Sequence, residues 1–128
     1  MADWIFPINP TAASRPRVSF KGGHAYFVGP YKRFREEMVD LVPTVIGDHS
    51  PYMGDISVTV EFMAKRPKTT KLSAPRGDID NYLKAIFDAL NGKAFEDDKQ
   101  IVIVHARKSW TPSHEDEGYI KVSIEETS

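Results

Sequence analysis

The chain has 128 residues, no cysteine and a formal net charge of −1, with 41% hydrophobic and 27% charged residues. That length supports one domain with a real core, residues 1–128, and the missing cysteines exclude both a disulfide framework and a cysteine-based zinc site, as in a reducing cytoplasm. No apolar run approaches the roughly 18–20 residues of a membrane span, and the start of the chain has no basic-then-apolar leader pattern.

In chain order, Trp4, Phe6 and Ile8 alternate with Ile5 and Pro7, which predicts a short first strand ended by Asn9-Pro10. Residues 14–28 then read as a basic hairpin arm. Arg15-Pro16-Arg17-Val18-Ser19-Phe20 and Ala25-Tyr26-Phe27-Val28 read as two short extended runs, joined by a turn at Lys21-Gly22-Gly23-His24. Arg15, Arg17 and Lys21 beside Phe20, Tyr26 and Phe27 suit DNA contact, cations for phosphate and rings for exposed bases, although a plain surface hairpin would look the same.

Gly29-Pro30 opens a helix whose core-facing spacing runs through Tyr31, Phe34, Met38, Leu41 and Val45, and Pro43 is expected to end or kink it near Val42. After a loop from Gly47 to Gly54, the alternation of Ile56, Val58, Val60, Phe62 and Ala64 predicts a half-buried strand. Residues 65–77 form a basic loop with Lys65, Arg66, Lys68, Lys71 and Arg76, two prolines and no acid. A charge run is usually solvated surface, but this one leads straight into a carboxylate cluster, which favours phosphate as its partner.

That cluster begins at Asp78-Ile79-Asp80-Asn81. From Leu83, apolar residues at Leu83, Ile86, Phe87 and Leu90 keep helical spacing, while Asp80, Lys84, Asp88 and Asn91 form a polar stripe. Asn91-Gly92 predicts a left-handed C-cap, and Asp97-Asp98 follows just before Ile101 to Val104, an apolar run expected as a central strand. Each feature alone has an ordinary explanation: helix capping, i,i+4 ion pairs worth about 0.3–0.5 kcal/mol, or a turn. Capping needs one carboxylate, though, and none of these explanations uses all three sites. Metal-assisted phosphodiester hydrolysis does. Mg²⁺ takes two or three carboxylates and keeps several waters, and a nearby lysine neutralises developing charge.

Asp78-Ile79-Asp80-Asn81, Lys84, Asp88-Ala89-Leu90-Asn91-Gly92 and Asp97-Asp98-Lys99-Gln100 resemble the RusA family of Holliday-junction resolvases, in its phage-type form. The match is specific over residues 76–108, with a catalytic motif at 78–100, and looser at Arg15-Pro16-Arg17 and Pro30-Tyr31. The resemblance implies a homodimeric, Mg²⁺-dependent endonuclease acting on four-way DNA junctions, with Mn²⁺ able to substitute. Carried over by position, Asp78, Asp80 and Asp98 would hold the metal, Lys84 would be the catalytic lysine, and Asn81 and Asp97 would support them.

Net charge alone argues against a nucleic-acid binder, but its distribution does not. Residues 1–77 carry 11 Lys and Arg against 7 Asp and Glu, and residues 78–128 carry 6 against 11. The four histidines show no metal-ligand spacing. The final alternation of Ile120, Val122 and Ile124 predicts a last strand antiparallel to its neighbour. The expected fold is α+β, a mixed sheet with two helices on one face, in the order β, hairpin, α, β, α, β, β. Three other readings compete with a junction resolvase: a flap- or fork-specific nuclease of the same fold, a catalytically silent junction-binding dimer, and a glycosyltransferase metal clamp. The last lacks the length and the Gly-rich turn of a nucleotide-binding domain.

Overall fold

The computed structural model describes residues 1–127; Ser128 lies outside the described residues. The chain forms strand β1 (Ala2–Phe6), a hairpin of β2 (Arg17–Val18) and β3 (Ala25–Tyr26), helix α1 (Gly29–Ile46), strand β4 (Ile56–Ala64), helix α2 (Ile79–Leu90), a 3-10 turn (Asp98–Gln100), and strands β5 (Ile101–Trp110) and β6 (Tyr119–Glu126). The main sheet has the order β1-β6-β4-β5. Strand β6 runs antiparallel to both neighbours, whereas β4 and β5 are parallel, so α2 is the crossover of a β-α-β unit. This is the mixed-sheet α+β fold expected.

Alternation on β4 and β6 builds the core. Ile56, Val58, Val60 and Phe62 face the same side as Ile120, Val122 and Ile124, and all are buried. Tyr31, Phe34, Met38 and Val42 of α1 close over them with Tyr82, Ala85, Ile86 and Leu90 of α2. Burying one such aliphatic or aromatic side chain contributes about 1.5–3 kcal/mol.

Four expectations change on folding. Helix α1 runs through Pro43 to Ile46, because Pro43 and Val39 both lie on its exposed side, where water can take up the Val39 carbonyl left without an N–H partner. The buried stripe of α2 is centred on Tyr82, Ala85 and Ile86, with Leu83 and Phe87 only half-buried at its flank. The left-handed residue after α2 is Gly92 (φ 77°), while Asn91 stays at φ −57°. The largest change concerns β5. Among the described residues it pairs with β4 alone and forms an edge of the sheet, not its centre, and Val102, Ile103 and Val104 are 52%, 45% and 41% exposed.

Candidate active site

Asp78 is the N-cap residue of α2, with extended backbone (φ −77°, ψ 141°), and its main-chain carbonyl accepts from the N–H groups of Asn81 (3.0 Å) and Tyr82 (3.3 Å). Its carboxylate makes no capping bond. Asp80 sits in the first turn, and both aspartates are exposed. Among the described residues neither takes part in an ion pair. Two carboxylates at the positive end of a helix, engaged in no capping or pairing, keep their oxygens free for a cation or a solvated ligand.

The loop that delivers Asp78 is tied down from three sides. The Tyr82 hydroxyl donates to the Arg76 carbonyl (2.6 Å), the Lys108 ammonium of β5 donates to the Gly77 carbonyl, and the Ala13 N–H donates to the Asn81 carbonyl (2.9 Å). Gly77 has φ 100°, a backbone region that side chains avoid, and a Cβ there would sit 3.3 Å from the Tyr82 ring and 3.5 Å from the Ala12 methyl. The root of the hairpin arm therefore abuts the start of α2. Lys108 is a residue that sequence reasoning missed, since only the tertiary fold brings β5 alongside residue 77.

Lys84 stands one turn up the polar stripe and pairs with Asp88 at 3.4 Å, not with Asp80. Its side chain is 65% exposed, so this pair is a minor stability term. Asp98 approaches the same stretch of α2 from the 3-10 turn. Partial desolvation, a hydrogen bond shared with Asp97, and the charges of Asp97 and Asp88 push its carboxyl above the usual range, and Lys84 acts in the opposite direction. Asp97 is held below the usual range chiefly by the Lys99 backbone N–H, which its side chain accepts at 2.9 Å.

Asp97 and Gln100 form a reciprocal capping box, with Gln100 Oε1 accepting from the Asp97 N–H at 2.8 Å. The Gln100 amide also donates to the carbonyls of Tyr52 (2.8 Å) and Gly54 (2.9 Å), and the residue is buried. Asp97 is thus a structural cap, and Gln100 is the anchor that sets where Asp98 begins. Gln100→Leu should lower stability by about 2–3 kcal/mol, because it strands several partly buried main-chain groups. For a domain of this size that is a fall in melting midpoint of roughly 10 °C. A midpoint within a degree or two of wild type in a calorimetric scan would contradict this role.

The acidic side chains on Asp78–Asp80 and on Asp98 have the chemistry of a hard divalent-cation site. The spacing does not complete one. Asp98 faces Lys84 and Asp88, Asp78 and Asp80 stand at the start of α2, and among the described residues no group of three or more His, Asp or Glu is arranged to hold a metal ion.

The basic residues divide into two sets. Lys65 is engaged by the Glu117 carboxylate and the Asp116 carbonyl, both at 3.3 Å, and Arg66 Nε donates to the Thr111 carbonyl at 2.8 Å. These two fasten the loop to the β5–β6 connection, as does Trp110 Nε1, which donates to the Leu72 carbonyl at 3.1 Å. Lys68, Lys71 and Arg76 are exposed, with no ion pair among the described residues. Arg15, Arg17 and Lys21 project on the hairpin arm, and Phe20 at its tip is fully exposed. Among the described residues no helix is long and apolar enough to cross a membrane.

A family model described as endodeoxyribonuclease RusA matches residues 7–125. The uncharacterized protein YqaN of Bacillus subtilis (strain 168) is 29% identical over 134 residues, covering 93% of this chain and 92% of its own length.

Proposed function

From the premise that the chain belongs to the RusA endodeoxyribonuclease family, we propose that it is a Mg²⁺-dependent, structure-specific nuclease that resolves four-way DNA junctions as a homodimer. The observation that supports this best is the pair of free carboxylates, Asp78 and Asp80, at the start of a helix whose next polar turn, Lys84 and Asp88, lies within electrostatic reach of Asp98. Mg²⁺, with Mn²⁺ as a substitute, would polarise the scissile phosphate and supply an activated water when bound.

The chain's own residues have separate tasks in this reading. Asp78, Asp80 and Asp98 would be the residues to hold the cation. Lys84 neutralises charge on the phosphate. Asn81 fixes the hairpin root through its carbonyl, and Asp97 caps the turn that carries Asp98. Lys68, Lys71 and Arg76, with Arg15, Arg17 and Lys21 of the arm, attract the backbone, while Phe20 offers a ring to an unstacked base. Lys65 and Arg66 contribute chiefly by holding the loop in place. A homodimer follows from the task, since symmetric cutting of two opposed strands needs two sites related by a two-fold axis.

The test is incubation with end-labelled four-way junction, flap, fork and linear duplex, each in Mg²⁺ and in EDTA. Paired, metal-dependent cuts in the junction alone are expected. Comparable cutting of flaps or forks would move the substrate to another branched DNA, and comparable cutting of linear duplex would end the structure-specific reading. Replacing Lys68 and Lys71 together with Ala should weaken junction binding and reduce its salt slope by about 2, as loss of two phosphate contacts requires. An unchanged slope would place these lysines away from DNA.

A further inference from the structure

Strand β5 reads as a central strand and sits at an edge. Ile101 to Val104 is a run of four aliphatic residues, which on an alternating backbone places apolar side chains on both faces, the signature of a strand covered on both sides and paired on both edges. Three of the four are more than 40% exposed, and the outer edge of β5 has no partner strand among the described residues. Edges of soluble proteins are ordinarily blunted by charge, by proline or by a bulge. Here the charges, Arg107 and Lys108, stand in the second half of the strand, and the irregularity opposite Ile56 and Ser57 lies at its first residues. The segment from Ile103 to His105 between them is regular and open.

We propose that this edge is the seam between two copies of the chain, with β5 pairing antiparallel to the partner subunit's β5 about a two-fold axis near Ile103, so that two four-stranded sheets become one of eight. This deepens the homodimer proposed above and rests on it. Charge distribution along the strand selects a second copy as the occupant. Glu96, Asp97 and Asp98, with the single cation Lys99, precede β5; toward its end lie Arg107, which pairs with Glu61 at 3.0 Å, and Lys108. Antiparallel self-pairing about Ile103 sets Lys108 of each strand opposite the Asp98 position of the other, with the aliphatic run at the centre against itself; parallel pairing would set Asp98 beside Asp98 and Lys108 beside Lys108 instead. Such an interface is isologous and closes at two subunits, so it removes the edge without generating fibres. It also bears on the site. Lys108, which holds the Gly77 carbonyl next to Asp78, would lie near the partner subunit's acidic turn.

The chain has no cysteine, so single cysteines placed at Val102, Ile103 or Val104 report the seam directly. A disulfide forms only where Cα atoms lie within about 7 Å, which in an antiparallel pair is satisfied close to the axis. On mild oxidation at least one of the three variants should become a covalent dimer, while a control cysteine at exposed Val39, on α1, should not. Ile103→Lys puts an unpaired charge into the seam and should raise the dimer dissociation constant by on the order of 100-fold, with an unchanged circular dichroism spectrum because the side chain is already exposed in one chain. A wild-type monomer at micromolar concentration by light scattering would overturn both seam and dimer. A wild-type dimer that survives Ile103→Lys, and whose three cysteine variants fail to cross-link, would overturn the seam alone. Cleavage by wild type reports separately on the nuclease reading.

Discussion

Asp80→Asn and Asp98→Asn should each lower Mg²⁺-dependent junction cutting by on the order of 10³-fold or more while leaving junction affinity in EDTA equal or tighter. The first half follows from the ligand role, since an amide oxygen is a far poorer partner for Mg²⁺ than a carboxylate. The second half follows from Coulomb repulsion. Without metal, Asp78, Asp80 and Asp98 present negative charge where a phosphate must sit, and either substitution removes one charge at nearly constant shape. Asp98→Asn carries an additional thermal signature. A carboxyl whose folded pKa is raised is harder to ionise in the folded chain than in the unfolded one. That cost is absent below the unfolded pKa, where both forms are protonated, and fully present above the folded pKa. The Asn variant should therefore melt higher than wild type at neutral pH, and the gain should vanish as pH falls below the ordinary aspartate range. The measurements are a junction titration in EDTA at two salt concentrations, a cleavage assay in Mg²⁺, and calorimetry at neutral and acid pH. Markedly weaker binding by well-folded Asn variants would make these aspartates structural and send the search for the metal elsewhere.

Lys84→Ala should cost about 10²–10³-fold in cleavage rate, the scale of losing one preorganised charge contact to a transition state. It should cost the fold very little. The only ion pair of Lys84 among the described residues is with Asp88 at 3.4 Å on an exposed helix face, and i,i+4 pairs of that kind contribute about 0.3–0.5 kcal/mol. Lys84 is also the cation that counters the upward push on the Asp98 carboxyl. Removing it should push the Asp98 carboxyl further above the usual carboxylate range and shift the acid limb of the cleavage pH profile upward. Single-turnover kinetics across pH would separate the two effects. Cutting at the wild-type rate would reduce Lys84 to a helix-surface lysine.

Much of this protein was legible without coordinates because its signals are local. Period-two alternation at Ile56–Ala64 and Tyr119–Glu126, a glycine turn at Gly22-Gly23, and helical spacing from Tyr31 and from Leu83 each depend on residues a few positions apart. Those signals were enough for the element order, the α+β class and the carboxylate-lysine motif, and the motif was enough for the family. What the tertiary structure decided were relations between distant segments. Which stripe of α2 is buried depends on how the helix rolls against β4 and α1, so the buried centre moved from Leu83 and Phe87 to Tyr82 and Ala85. Whether Pro43 ends α1 depends on whether water reaches the Val39 carbonyl. Lys108 meets Gly77, and Gln100 meets Tyr52 and Gly54, across 31, 48 and 46 residues, contacts that no periodicity encodes. The position of β5 is the sharpest case. An apolar run states that a strand wants cover on both sides, but it does not say whether that cover comes from its own chain, and in this fold β4 supplies one side only.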